Sequence, residues 1–284
     1  YPERYPYSWS EGIPQLSGQA FRQRDYLDAA EGTDVGATIF MEAAPDDPHW
    51  QAETEFVCGL AEEQSSIIQG VIAGCRPESQ DDFEAYIEKV QHPRLVGFRR
   101  ILHLVPDELS KQPLFTQNVR LLGKYHLTFD LCVLARQLPL ALDLARQCPN
   151  VQFILDHCGV PDIAGQALDP WRNHIKAMAG MPHVSCKISG VLAYCTPSHA
   201  TTAAVRPYVE HCLECFGWER VVWGGDWPVC LTTTDLKTWL SVTRELVSTA
   251  DPKDQQKLFW RNAERIYGLP GVIESFLSGP PESE

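Results

Sequence analysis

The sequence predicts an α/β fold in which parallel strands alternate with helices. Seven apolar segments suitable for buried strands are centred near Ile39, Val71, Val96, Phe129, Ile154, Cys186 and Val222. Successive centres lie 25 to 36 residues apart. This spacing suits repeated strand-helix units, because parallel strands need a crossover of a dozen or more residues whereas hairpins need only short turns.

Helix signals occupy the segments between these centres. The clearest apolar stripe, at i, i+3, i+4 and i+7, consists of Phe83, Tyr86, Ile87 and Val90. Ser79 followed by Asp82 resembles a capping box that opens this helix. Pro139 predicts another helix start, since proline suits the first turn. Thr234 is a candidate N-cap for a third helix.

Seven strand-helix units are one short of a (β/α)8 TIM barrel, in which eight parallel strands close into a cylinder. Residues 1–9 mix aromatic residues with prolines and are interpreted as a loop. A closed barrel that lacks one strand would expose two sheet edges. We therefore expect a single barrel domain over residues 1–284 whose first strand lies upstream of Tyr1. A sheet that closes in an unusual way is the alternative.

The composition argues against several classes of partner. The 284 residues are 44% hydrophobic and 21% charged, which is ordinary for a globular enzyme. There are 24 Lys and Arg against 37 Asp and Glu, a formal charge of −13. Nucleic-acid binding needs clustered positive charge, so no such partner is expected. No apolar run suits a membrane span and no signal peptide is visible, which predicts a cytoplasmic protein without a membrane partner.

The ten cysteines are interpreted as free thiols. Cys132, Cys158 and Cys186 lie in or beside apolar strand segments, where thiols usually behave as small buried hydrophobic groups. Cys212 and Cys215 form one CxxC pair in a helical segment. A zinc or redox site needs further ligands, and the sequence offers no second CxxC beside this pair.

Two apolar strand segments end on side chains suited to catalysis. Residues 221–228 read VVWGGDWP and place Asp226 just after a strand. Residues 153–161 read FILDHCGVP and place His157 similarly. Parallel α/β folds build active sites at the carboxyl ends of their strands. Asp226 and His157 are therefore the candidate catalytic residues; a helix cap or turn opening is the alternative for Asp226.

Several short motifs, taken in order, resemble the amidohydrolase superfamily. They are YPYSW at 5–9, VGFRR at 96–100, LDHCGVP at 155–161, KISG at 187–190, WGGDWP at 223–228 and NAERIYG at 262–268. The chain is most similar to its amidohydrolase-2 branch of TIM-barrel sugar-acid lactonases, which includes L-rhamnono- and L-fucono-lactonases. The resemblance implies a hydrolase that opens an aldonolactone, and a place in carbohydrate metabolism.

The resemblance also implies roles for the two strand-end residues. Asp226 would act as general base on a water molecule, since an ordinary carboxyl with a pKa of about 3.9 is ionised at neutral pH. His157 and Asp226 would hold at most one divalent cation, zinc or similar, together with a His-x-His pair. That pair does not occur in this chain. Metal-dependent and metal-independent reactions both remain open.

Substrate-binding roles are expected for five residues. Arg99 suits a carboxylate or hydroxyl groups, with a rim salt bridge as the alternative. Lys187 lies in a strand segment and needs an anion or hydroxyl partner. Glu42 follows a strand and suits substrate, a cation or a helix cap. Trp9 and Trp227 suit the apolar faces of a sugar ring, or a place in the core.

Other functions are weighed against this one. A metal-dependent decarboxylase, or a pyrone or dicarboxylate lactone hydrolase of the same superfamily, is the alternative enzyme, and a barrel that only binds ligand is a third reading. Neither nucleotide-binding glycine motifs nor a GxSxG elbow is present. The eight other histidines, His103 included, are interpreted as surface or satisfied side chains. A homodimer is expected.

Overall fold

Seven parallel strands form one sheet in the computed structural model, which describes residues 1–79 and 82–269. In sheet order they are β1 (Thr38–Met41), β2 (Ile68–Gly74), β3 (Leu95–Ile101), β4 (Thr128–Cys132), β5 (Phe153–Leu155), β6 (Val184–Ser189) and β7 (Val221–Gly224). Each predicted strand centre falls inside one of them. The predicted alternation of parallel strands and helices is therefore confirmed.

The described part of the chain contains ten α-helices. They are α1 (Gln23–Ala30), α2 (Trp50–Ala61), α3 (Phe83–Lys89), α4 (Pro113–Lys124), α5 (Leu138–Gln147), α6 (Trp171–Ala179), α7 (Thr202–Phe216), α8 (Leu236–Leu246), α9 (Pro252–Gln256) and α10 (Asn262–Ile266). One of α2 to α7 lies in each strand-to-strand connection. Among the described residues, no helix is long and apolar enough to cross a bilayer.

Two helices are capped by a different residue from the one that the sequence predicts. The side chain of Asp82 caps α3 by accepting a hydrogen bond from Ala85 N (3.0 Å). Asp235, rather than Thr234, caps α8 by accepting from Thr238 N (2.7 Å). In both cases the aspartate directly precedes the first helical residue, where its carboxylate reaches the unpaired N–H groups of the first turn. Pro139 lies in the first turn of α5, as predicted.

The sheet curls, so that its two edge strands line the same cavity. Residues of β1 and of β7 both face this space. In the described part of the chain β1 pairs with β2, β7 pairs with β6, and these two edges are not paired with each other. This is the α/β TIM-barrel class that the sequence predicts. The position of an eighth strand stays an expectation.

The core has a layer outside the curl and a smaller one inside it. β5 shows the division, because Phe153 and Leu155 pack toward the helices whereas Ile154 points inward. Asp130 on β4 is paired in register with Ile154, so it also belongs to the inner layer. The inner layer is thus apolar at one level and charged near the carboxyl ends of the strands, which is where the candidate site lies.

Candidate active site

A cavity of about 1940 Å³ is lined by both edge strands, β1 and β7, and extends from the carboxyl ends of the strands to Ile68 and Gln69 at the start of β2. Strands or strand ends bring Arg99, His157, Lys187 and Asp226 to its wall, and Glu42 joins them after β1. Five predicted site residues from five different strands therefore meet in one space. This arrangement follows from parallel pairing, which puts every carboxyl end on the same side of the sheet.

A chain of ion pairs runs under the cavity. Lys187 Nζ donates to Asp130 Oδ2 (2.5 Å) and to Asp156 Oδ1 (2.7 Å). Asp156 Oδ2 accepts from Arg99 Nη1 (3.2 Å). Arg99 donates through Nε to Glu42 Oε1 (3.1 Å) and through Nη2 to the Glu42 carbonyl (2.6 Å). All five side chains are buried, so each charge depends on its neighbours for solvation.

The pKa values in this chain reflect burial opposed by pairing. Burial would lower the pKa of Lys187, but the carboxylates of Asp130 and Asp156 outweigh it and hold the pKa well above the ordinary value. Burial would raise the pKa of Asp156, but Lys187, His157 and Arg99 together hold it below the ordinary range. Burial raises the pKa of Asp130 to about 6, against the opposing effect of Lys187. Pairing with Lys187 thus opposes the effect of burial on the pKa values of both Asp130 and Asp156.

His157 and Asp226 form a separate pair at the cavity mouth. His157 Nδ1 lies 2.8 Å from Ser189 Oγ. His157 Nε2 lies 3.8 Å from Asp226 Oδ1, which is too far for a direct hydrogen bond. Asp226 Oδ2 is buried without a hydrogen-bond partner among the described residues. The pair therefore leaves room between its atoms for one small group, and leaves one carboxylate oxygen unsatisfied.

Backbone conformation brings these two side chains together. Asp226 has φ +50° and His157 has φ +54°, a region of backbone conformation that residues other than glycine rarely adopt. Gly190, at φ +64°, lies against both of them. A Cβ at that position would overlap Asp226 Oδ2 and would lie 3.1 Å from His157 Nδ1. The glycine of the KISG motif is therefore required for the close approach of the pair.

Burial raises the pKa of Asp226 above its ordinary value of 3.8, while the nearby His157 and Arg99 pull it down. His103 faces the same cavity, with its Nδ1 3.7 Å from Cys132 Sγ. Burial lowers the pKa of His103 to about 4, with the guanidinium of Arg99 adding to the effect, so His103 is neutral at neutral pH. The site thus combines the Asp226 carboxylate, whose pKa is raised, with the neutral imidazole of His103.

The aromatic residues near the N-terminus close one side of the cavity. Tyr7 Oη donates to Glu53 Oε1 (3.1 Å), and Trp9 Nε1 donates to the Ala43 carbonyl (2.9 Å). Burial, with Glu42 nearby, raises the pKa of Glu53 to about 7. These contacts attach the YPYSW segment to the end of β1. Across the cavity, the Trp227 ring packs edge-on against Phe21 and Tyr26, each at 5.3 Å between centroids.

A family model described as amidohydrolase matches residues 5–269. The chain belongs to this amidohydrolase family. The family predicted from the sequence motifs is therefore confirmed, and with it the prediction that the protein is a hydrolase.

Proteins that are similar in sequence to this amidohydrolase include three named lactonases. An L-fucono-1,5-lactonase of Burkholderia ambifaria is 27% identical over 240 residues, covering 83% of this chain and 81% of its own. An L-fucono-1,5-lactonase of Burkholderia multivorans is 27% identical over 281 residues, covering 92% of each chain. An L-rhamnono-gamma-lactonase of Scheffersomyces stipitis is 23% identical and covers 61% of this chain and 59% of its own.

Solved structures share the fold of the amidohydrolase. One from Burkholderia multivorans, described with bound zinc, has a TM-score of 0.85 at 23% identity and covers 93% of this chain and 94% of that one. A candidate 2-pyrone-4,6-dicarboxylic acid hydrolase from Pseudomonas putida gives 0.70 at 15% identity, covering 93% and 94%. A 2,6-dihydroxybenzoate decarboxylase from Rhizobium gives 0.61 at 13% identity, covering 92% and 91%. At such identities the likeness concerns the fold alone.

Sequence reasoning missed part of this site. Asp130 and Asp156 were not singled out, although a charged residue inside the apolar strand segment LTFDLCV signals a buried partner. Ser189 and Gly190 belong to the KISG motif, but the sequence analysis assigns no role in the site to either of them. His103 lines the cavity, which its interpretation as a surface or satisfied side chain did not anticipate.

The mouth pair fits a divalent cation. An imidazole nitrogen and a carboxylate oxygen are ordinary zinc ligands, with bond lengths of about 2.0–2.2 Å. The 3.8 Å between His157 Nε2 and Asp226 Oδ1 allows one ion to contact both. Cys132, Asp156 and His157 also lie within 4.8 Å of one another. However, both oxygens of Asp156 are taken by Lys187 and Arg99, so Asp156 has no ligand role here.

Removing the charge of Asp156 should destabilise the fold strongly. Asp156→Asn removes the negative charge that pairs with Lys187 and Arg99, and the positive charges of these two residues remain buried. Breaking a buried ion pair costs about 3–5 kcal/mol. Urea unfolding measures this change. The control is Asp143→Asn, whose exposed pair with Arg146 should contribute about 0–1 kcal/mol. Equal losses in the two variants would contradict the network's structural role.

Proposed function

We propose that this protein hydrolyses a sugar-acid (aldono-) lactone to the open-chain acid with water activated by Asp226. The observation that carries the proposal is the Asp226 carboxylate, which lines the cavity beside His157 and has one buried oxygen without a hydrogen-bond partner among the described residues. Two relatives that cover most of this chain are named L-fucono-1,5-lactonases, which supports a sugar lactone as the substrate class.

The reaction requires one proton to move twice. Asp226 removes a proton from water, and the water oxygen forms a bond to the lactone carbonyl carbon. The tetrahedral intermediate then collapses, and the bond from that carbon to the ring oxygen breaks. Asp226 returns its proton to the departing ring oxygen. The raised pKa of Asp226 favours the first transfer, because a stronger base removes the proton of water more readily.

The contact between Ser189 Oγ and His157 Nδ1 is compatible with two hydrogen-bonding roles of His157. If the Ser189 hydroxyl donates to Nδ1, neutral His157 carries its proton on Nε2 and donates to the developing oxyanion. If His157 donates from Nδ1 to Ser189 Oγ, the Nε2 lone pair is available for a metal ion. The same contact therefore supports the metal-independent and the metal-dependent form of the reaction.

A divalent cation held by His157 and Asp226 would polarise the lactone carbonyl and increase the acidity of bound water. The solved amidohydrolase of Burkholderia multivorans with bound zinc supports this possibility. We infer that the mouth holds at most one such ion. In the described chain β3 carries Arg99 and Arg100 near its carboxyl end, not a lysine that could bridge two ions, and β4 supplies no histidine.

Substrate contacts are proposed for the five residues predicted from sequence. Trp9 and Trp227 line the cavity and offer apolar faces to a sugar ring. Four of the five N–H groups of Arg99 have partners among the described residues, including a contact of Nη1 with Met41 Sδ (3.9 Å), so one N–H group is left for substrate. Lys187 and Glu42 already form ion pairs within the protein. We propose that they act on the bound substrate chiefly through the electrostatic effect of their charges.

The alternative is a metal-dependent decarboxylase or a pyrone dicarboxylate hydrolase. Solved structures with this fold carry both descriptions, at 13% to 15% identity. Such enzymes take aromatic or pyrone acids. The relatives named as sugar lactonases favour the first proposal. A role in carbohydrate metabolism, a cytoplasmic location and a homodimer stay predictions from the sequence.

A substrate panel separates the two proposals. We expect turnover of aldonolactones, and none of pyrone dicarboxylates or dihydroxybenzoates, when all are tested with and without a chelator. The release of acid from lactones and of carbon dioxide from benzoates is measured. Decarboxylation that a chelator abolishes, without lactone hydrolysis, would establish the alternative. Loss of lactone turnover with chelator would establish the metal-dependent form of the reaction.

Asp226→Asn should lower kcat by about 10²- to 10⁴-fold, the usual contribution of a positioned acid-base group. The loss should be larger in kcat than in KM, since Asp226 acts on the water and the leaving oxygen. Steady-state kinetics measures both constants, and circular dichroism checks the fold. The control is Asp235→Asn, an exposed helix cap outside the cavity. More than a tenth of normal turnover in Asp226→Asn would remove Asp226 from the mechanism.

The pH profile should report the raised pKa of Asp226. The base works when ionised, so kcat/KM should fall as pH drops through the folded-state pKa. Because burial raises that pKa, the acid limb should lie above the ordinary value of 3.8. Spontaneous lactone opening is subtracted at each pH. A profile that stays flat down to 3.8 would show that another group limits activity.

A further inference from the structure

Three buried thiols lie together behind the catalytic pair. Cys158 follows β5, Cys186 lies on β6 and Cys212 lies on α7. Their sulfur atoms all lie within 4.8 Å of one another, and each residue is fully buried. The sulfur of Cys158 also lies 3.8 Å from the Lys187 carbonyl. No disulfide joins them in the structure, since all three are free thiols.

This cluster is not the CxxC pair visible in the sequence. Cys215 is only half-buried and lies beside His211, with Sγ 3.5 Å from Nε2. Cys212 instead faces two cysteines that are distant in sequence. The interpretation of Cys158 and Cys186 as buried apolar groups agrees with their burial, but their convergence with Cys212 offers three sulfur ligands in one place.

The spacing suits a soft metal ion. A zinc–thiolate bond of about 2.3 Å places three sulfurs around one ion roughly 3.8–4.0 Å apart, which is inside the observed limit. Thiolate ligands select soft or borderline cations over hard ones. The surrounding core is apolar, so thiolates in this place need a bound cation to neutralise their charge.

The backbone beside the three thiols forms an unusual left-handed turn that a metal ion would stabilise. His157, Cys158, Gly159 and Val160 have consecutive φ values of 54°, 54°, 68° and 46°. Three of them carry side chains in a conformation that such residues rarely adopt. This turn sends His157 to the cavity and Cys158 to the thiol cluster. Ligation of Cys158 would therefore anchor, from behind, the turn that positions His157.

We propose that Cys158, Cys186 and Cys212 form a structural site for one soft, thiophilic metal ion of the Zn²⁺ and Cd²⁺ class. Binding releases thiol protons as metal–sulfur bonds form. The site is separate from the cavity mouth, so the limit of one divalent ion there does not apply to it. The ion takes no part in lactone chemistry.

Cadmium ion is the probe, added to the full-length protein in a buffer with a non-thiol reductant. The cadmium–thiolate charge-transfer band is titrated, and the unfolding temperature is measured alongside it. Asp226→Asn serves as the background, because it weakens binding at the mouth. Within that background, Cys212→Ala is compared with Cys148→Ala, which removes a buried thiol outside the cluster.

We expect one equivalent of cadmium with a thiolate band and a raised unfolding temperature in the background protein and with Cys148→Ala. Both effects should disappear with Cys212→Ala. Cys186→Ser repeats the test with a nearly isosteric change should the alanine variant fold poorly. An unchanged band in the folded cluster variants, or no band in the background protein, would overturn the proposal.

Discussion

The buried ammonium of Lys187 is the constraint on which the site depends. An unpaired charge in that position would destabilise the fold, so carboxylates from two other strand ends must reach it. Asp156 then binds Arg99, which binds Glu42 in turn. Each side chain comes from a different strand or the loop after it. The network therefore ties the carboxyl ends of β1, β3, β4, β5 and β6 together and maintains the inward curl of the sheet.

The same network leaves an excess of negative charge. Three carboxylates, Glu42, Asp130 and Asp156, face two cations, Arg99 and Lys187. Asp226 adds another carboxylate, with His157 beside it rather than a fixed cation. Burial without a full partner raises the pKa of Asp226. A proton, or a cation at the mouth, is consequently favoured at Asp226, which is the property that a base acting on neutral water requires.

The strand order and the mouth pair could be predicted because each depends on local sequence. Apolar segments at regular spacing locate the strands, and a polar residue that ends such a segment locates Asp226 and His157. The ion-pair network could not be predicted in this way. Lys187 and Asp130 are 57 residues apart, and their contact depends on how β4, β5 and β6 are registered. The cap of α8 falls one residue from Thr234 because sequence pattern does not resolve helix ends that finely.

The turn from His157 to Val160 connects the chemistry to the core. Adjacent residues in this turn face opposite sides, so His157 reaches Ser189 at the mouth whereas Cys158 packs among buried thiols. A left-handed turn of this length persists only when contacts on both sides outweigh its strain. A change in the thiol cluster is therefore expected to shift the imidazole of His157, whose Nδ1 contacts Ser189 Oγ. The orientation of this imidazole thus depends on core packing as well as on the residues of the cavity wall.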